Sequence, residues 1–210
     1  MTASLDDDVI DRLAGIAPGS RLDAIRRHRP QAREHAQQSW RALFAPAEPA
    51  PGHVTPTERL AVAAFVAGLH RQPETEAFYA EALAAQDPGL AAAIAQQVQR
   101  GAAQGPYGRH PAGPLSREDQ EGPAYAADAA ARDALGPRLA AALAHAHLLV
   151  FHPRDARASH LQALLDAGWS ETDIVVLSQL VAFLAFQVRV VAGLRALTAH
   201  PAPALQETTA

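Results

Sequence analysis

Residues 160–197, HLQALLDAGWSETDIVVLSQLVAFLAFQVRVVAGLRAL, decide the fold. The stretch reads as one helix, a tight break and a second, long apolar helix. Gly168 ends the first helix. Ser170 caps the second, with Asp173 at its third position, so each side chain can satisfy a backbone donor of the other residue. Trp169 and Ile174 stand where a hydrophobic staple closes over that cap. In the long helix Ile174, Leu177, Val181, Leu184, Val188 and Val191 follow helical spacing. Val175, Val176, Leu180, Phe183, Phe186, Val190 and Leu194 cover its other faces. A helix apolar nearly all round is buried on all sides. The expectation is a homo-oligomer with this helix near the interface, or otherwise the central helix of a monomeric bundle. Arg189 is the odd member and is expected to find a carboxylate or carbonyl partner. Gln179, Gln187, Arg189 and Arg195 interrupt the run, which argues against a membrane span.

Upstream, the second half restarts at Gly136-Pro137 with a helix to about Phe151, and Pro153 is expected to begin the helix that ends at Gly168. In the first half, Thr55, Pro56 and Glu58 form another capping box with proline at the first helical position. That helix runs towards His70. Further helices cover about 74–85 and 89–100, with Gly101 as the C-cap. Residues 5–44 read as a helical arm broken at Pro18-Gly19, with Pro30 in the first turn of a helix to about Phe44. The expected organisation is an arm and Pro-rich connector over 1–54, a first helical half over 55–100, a Gly/Pro-rich linker or wrapping loop over 101–125, a second half over 126–200, and a tail over 201–210. A weak repeat relates the halves, with Pro56 and Pro137 at equivalent places, and Ala82-Leu83 matching Ala163-Leu164.

Composition agrees with an all-α chain. Of 210 residues 49% are apolar, alanine dominates, and β-branched and aromatic residues are sparse. The net charge is −4. The positive charge is scattered arginine, with no lysine, and no basic patch interleaves with aromatics, so no nucleic-acid partner is expected. The absence of cysteine excludes disulfides, thiolate metal sites and thiol chemistry. Residues 1–13, MTASLDDDVIDRL, are acidic and unlike a secretory signal. The expected setting is the cytoplasm, with no membrane partner.

From about Arg138 to Leu197 the chain resembles the carboxymuconolactone decarboxylase and alkylhydroperoxidase D-like superfamily. The residues that carry this are HxxALxxAG at 160–168, SETDI at 170–174 and QxRxxxGL at 187–194. TPTERLAVAAFVAGL at 55–69 and PYGRHPAGPLSREDQEGP at 106–123 are similar to the two-part, peroxidase-related members. The resemblance implies an all-helical, multi-helix bundle, two degenerate repeats, and trimers or hexamers. Active peroxidases of the family carry CxxCxxxH at a helix start and a glutamate on the preceding helix. There a thiolate attacks peroxide, the second cysteine resolves the sulfenic acid, and glutamate and histidine relay protons. In this chain the motif histidine is His160, the cysteine positions fall on Pro153 and Ala156, and the glutamate position falls on Ala141. In the first half, with Glu58 as the glutamate, the cysteine positions become His70 and Pro73 and the histidine position Ala77. Neither half holds a complete site, so cysteine-dependent peroxidase activity by this chain alone is excluded.

The candidate catalytic residues are therefore His160, Glu58 and His70, expected near an apolar pocket between helices. His160 would act as general acid or base on a small organic molecule. No cofactor or bound metal is expected. Two other readings remain at this point. One is a non-catalytic scaffold or partner subunit of a cysteine-containing relative. The other is a metal-dependent enzyme using His145, His147, His152 and His160 with Asp155 or Glu171, although their spacing matches no standard metal motif. Glu58 is also explained by its capping box alone, and His160 by packing between helices.

Overall fold

The computed structural model describes residues 7–46 and 54–199. Among these the chain is all-α, a multi-helix bundle with no strand. The helices are α1 (Val9–Ala14), α2 (Arg21–Arg27), α3 (Pro30–Phe44), α4 (Pro56–Leu69), α5 (Pro73–Ala84), α6 (Pro88–Arg100), α7 (Ala129–Phe151), α8 (Ala158–Asp166) and α9 (Glu171–Ala199). Most of the connector after α3 and the tail after residue 199 lie outside the described residues.

Local chemistry sets the helix starts. Proline takes the first turn of α3, α4, α5 and α6, where its missing N–H costs nothing. At α4 the capping box is reciprocal. Thr55 Oγ1 accepts from the Glu58 amide at 3.1 Å, and Glu58 Oε2 accepts from the Thr55 amide at 2.8 Å. The start of α9 repeats the device, Ser170 Oγ accepting from the Asp173 amide at 3.2 Å and Asp173 Oδ2 from the Ser170 amide at 3.3 Å. Trp169 and Ile174 are both buried beside it.

One expected boundary holds and another is corrected. Asp128 caps a short helical segment over 129–135, accepting from the Ala131 amide at 2.8 Å. The backbone leaves the helix at Gly136 (φ 75°, ψ 157°), and the longer part of α7 opens there, at Pro137, as expected. Pro153 begins only a 3-10 turn, Pro153–Asp155, and α8 starts afterwards at Ala158.

The helix buried on every side is α4, not α9. From Ala61 to Ala67 every side chain of α4 is at most 2% exposed. Alanine at four of those seven positions lets α5, α6, α7 and α9 pack close around it. One hydrophobic cluster takes in Val54 and residues of α4, α5 and α6 together with Ala127 and residues of α7, α8 and α9. A second, smaller cluster docks the arm on the far end of α9 through Val9, Ile10, Leu13, Ala36, Val191 and Leu194. α9 keeps one face open, with Val175 56% and Phe186 46% exposed. Arg189 there donates to the Ala185 carbonyl of its own helix at 2.6 Å. α7 and α9 are each long and apolar enough to cross a membrane by length and composition, and half of each such window is buried inside the bundle.

Candidate functional site

The Gly/Pro-rich segment 101–125 folds back over the C-terminal end of α7. The Tyr107 amide donates to the Phe151 carbonyl at 2.6 Å. Gly108 and Gln120 pair in an antiparallel bridge. Gly122 lies flat on the Tyr107 ring, so close that an added Cβ would sit 2.3 Å from it. Only glycine fits there. The segment thus becomes a wall, and between it, α7 and α8 lies a cavity of about 290 Å³. Ala124, Ala141, Ala144, Leu148, Ala163 and Leu164 give it an apolar lining, and Tyr125, His145, His147, His152, Asp155 and His160 supply the polar groups.

The hydrogen-bond partners set the states of these rings. Ser178 Oγ donates to the Ile174 carbonyl at 2.8 Å, so towards His145 Nε2, 3.3 Å away, it acts as acceptor. His145 therefore carries its proton on Nε2, and its buried Nδ1 has no partner among the described residues. His147 Nε2 lies 3.1 Å from the Gly101 carbonyl, an acceptor, and so bears the hydrogen. Burial keeps His147 neutral, lowering its pKa to about 4 against the help of that carbonyl, and the neighbouring His152 adds to the lowering. Burial and then nearby His160 lower His145 as well. His152 lies between two acceptors, Asp155 Oδ2 at 3.3 Å and the Pro123 carbonyl at 3.0 Å. Burial opposes ionisation of Asp155, but bonds from the Arg109 amide and from His152 outweigh it and hold the carboxyl below its usual range. His160 Nδ1 accepts from the Arg157 amide at 3.1 Å. The nitrogen left for a ligand is Nε2, which in the neutral ring bears the hydrogen.

Of the three residues expected to share a pocket, only His160 lines this one. Glu58 is elsewhere, at the start of α4. Both its carboxylate oxygens are engaged, Oε2 by the Thr55 amide and Oε1 by Arg138 Nε at 2.8 Å. His70 is the C-cap of α4, and its Nε2 is buried without a partner among the described residues. Burial and then Arg189 lower its pKa to about 4. The expected trio is thus replaced by His145, His147, His152 and His160. These were visible in the sequence only as a cluster, because what gathers them is the fold-back of the 101–125 segment. They do not converge as metal ligands. Among the described residues no group of three or more His, Cys, Asp or Glu side chains is placed to hold a metal ion.

No protein-family model, curated protein or solved structure matches the chain.

Proposed function

We propose that this chain is a cysteine-less relative of the carboxymuconolactone decarboxylase and alkylhydroperoxidase-like proteins. On this reading it binds a small, neutral, oxygen-bearing organic molecule in the α7–α8 cavity and moves a proton there with His160. One observation carries the reading. Ala141 and His160, which the resemblance matches to the family's glutamate and histidine, line the same cavity. With alanine in place of the carboxylate and no cysteine in the chain, the proton-carrying groups left in the lining are four imidazoles, the Asp155 carboxyl and the Tyr125 hydroxyl. His160 meets the ligand as an N–H donor, suited to a carbonyl or hydroxyl oxygen on which charge develops. A neutral imidazole can fill that role. Among the described residues no arginine lines the cavity, and the carboxyl of Asp155 does, so an anionic ligand is disfavoured.

The test uses cyclohexanone and its anionic counterpart cyclohexanecarboxylate. The reading expects cyclohexanone to bind and to shift the His160 Nε2 resonance, and, with the Nε2–H held on the carbonyl oxygen while solvent base takes the α-proton, its α-hydrogens to exchange into D2O faster than in buffer. It expects His160→Ala to lose the acceleration. Preference for the carboxylate, or exchange unchanged in His160→Ala, refutes it.

A further inference from the structure

The open face of α9 is its own complement. Thr172, Val175, Gln179, Ala182, Phe186 and Arg189 are all exposed. They follow one another at intervals of three, four, three, four and three residues. Such alternation marks a seam along which two helices pack side by side. The series is also symmetric about the point midway between Gln179 and Ala182. Turned end for end, it falls on itself. Two copies of α9 lying antiparallel therefore set Val175 against Phe186 twice, Gln179 against Ala182 twice, and Thr172 against Arg189 twice. That is the reciprocity a two-fold interface requires, in which residue i meets j and j meets i.

Charge follows the same symmetry. Residues 174–188 contain no charged side chain. The stripe is bounded by Glu171 at one end and Arg189 at the other, and antiparallel pairing brings each beside its opposite on the second copy. Arg189 makes no ion pair with a described carboxylate and leans on its own helix, and Glu171 makes none with a described cation. An uncharged centre with charges at the rim is the usual anatomy of an interface. The stripe spans about 26 Å of helix. Beside it an open apolar groove of about 610 Å³ runs between α3 and α9, walled by Ala32, Ala36, Ser39 and Ala42 opposite Phe183 and Phe186. Those small α3 side chains widen the patch towards the roughly 800 Å² per partner of a stable dimer.

We propose that this face is the docking surface for a second copy of the chain, with α9 packed antiparallel on α9 about a two-fold axis near Gln179 and Ala182. The pairing involves no residue of the α7–α8 cavity, so it stands or falls separately from the ligand reading.

The chain has no cysteine, so introduced cysteines report alone. A mixture of the exposed variants Thr172→Cys and Arg189→Cys is expected to form a disulfide-linked dimer under mild oxidation, and either variant alone is not. Sedimentation is expected to show an even-numbered assembly that Val175→Glu or Phe186→Glu weakens by about a hundredfold. Helical circular dichroism should be unchanged, because both side chains are exposed. Glu171→Arg and Arg189→Glu should each weaken assembly, and together restore it. A wild-type protein that stays monomeric at high micromolar concentration, a trimer without a two-fold axis, or self-linking of Thr172→Cys overturns the proposal.

Discussion

Arg138 and Trp169 hold each other twice. The indole Nε1–H donates to the Arg138 carbonyl at 2.9 Å, and the Arg138 guanidinium lies over the indole ring, 4.1 Å from its centroid. The same guanidinium donates to Glu58 Oε1 at 2.8 Å, Asp173 Oδ2 at 3.3 Å and the Gly168 carbonyl at 2.6 Å. One arginine of α7 thus joins the capping carboxylates of α4 and α9. Each of those carboxylates was legible as a local cap, but the link between them was not.

Replacing Arg138 with alanine takes one of the cations away from the Asp173 carboxylate, whose side chain is only 2% exposed, leaving the more distant Arg59. The expected loss is about 3 kcal/mol of stability. Arg138→Lys should recover part of it, keeping charge but not the planar fork or the stacking. Urea unfolding of the two variants measures both.

Tyr79 and Gln187 are fully buried and bonded, hydroxyl to Oε1, at 2.7 Å. Tyr79→Phe should cost about 1–3 kcal/mol by stranding the amide. Gln187→Leu should cost a similar amount by stranding the hydroxyl. The double variant should recover most of the loss, because Gln187 Nε2 already has no partner among the described residues and replacing both strands neither member of the pair. A double-mutant cycle in urea gives the coupling.

Acid should unfold the protein through its buried histidines. His147 and His70 are each lowered to about 4 in the folded state, from an ordinary 6.5, chiefly by burial. Between these values the unfolded chain binds more protons than the folded one, so stability rises with pH. The contribution is complete above about 6.5 and is lost as pH falls towards about 4. For His147, 2% exposed, the slope is at most about 1.4 kcal/mol per pH unit. Urea midpoints across that interval should fall with acid, and His147→Gln should flatten the fall.

Gly136 holds φ 75° and ψ 157° in the kink of α7, a conformation open almost only to glycine. Nothing lies within 4 Å of where its Cβ would be, so the cost of Gly136→Ala is torsional alone. It is expected at about 1–3 kcal/mol, read from the shift in thermal midpoint.

How much was legible follows the range of the interactions. The capping boxes at Thr55 and Ser170, the staple of Trp169 and Ile174, and the prolines opening α3 and α4 act within a few residues, so the order of residues states them directly. The all-α class follows from the same local signals summed along the chain. The site followed different physics. His160 was named from its motif, but Glu58 turned out to be spent on Thr55 and Arg138. His145, His147 and His152 became cavity groups only because the 101–125 segment doubles back on α7.

The sequence by itself determined the helix starts that carry a cap or a leading proline, at Thr55, Pro30 and Ser170, and which chemistry is ruled out, since backbone donors near a cap find partners locally and a chain without cysteine has no thiol. The tertiary structure alone decided that α4 rather than α9 is enclosed on every side. An apolar helix states that it needs covering but not by what. Only the packing of α5, α6, α7 and α9 around the alanines of α4 shows which need was met, and which face of α9 was left open.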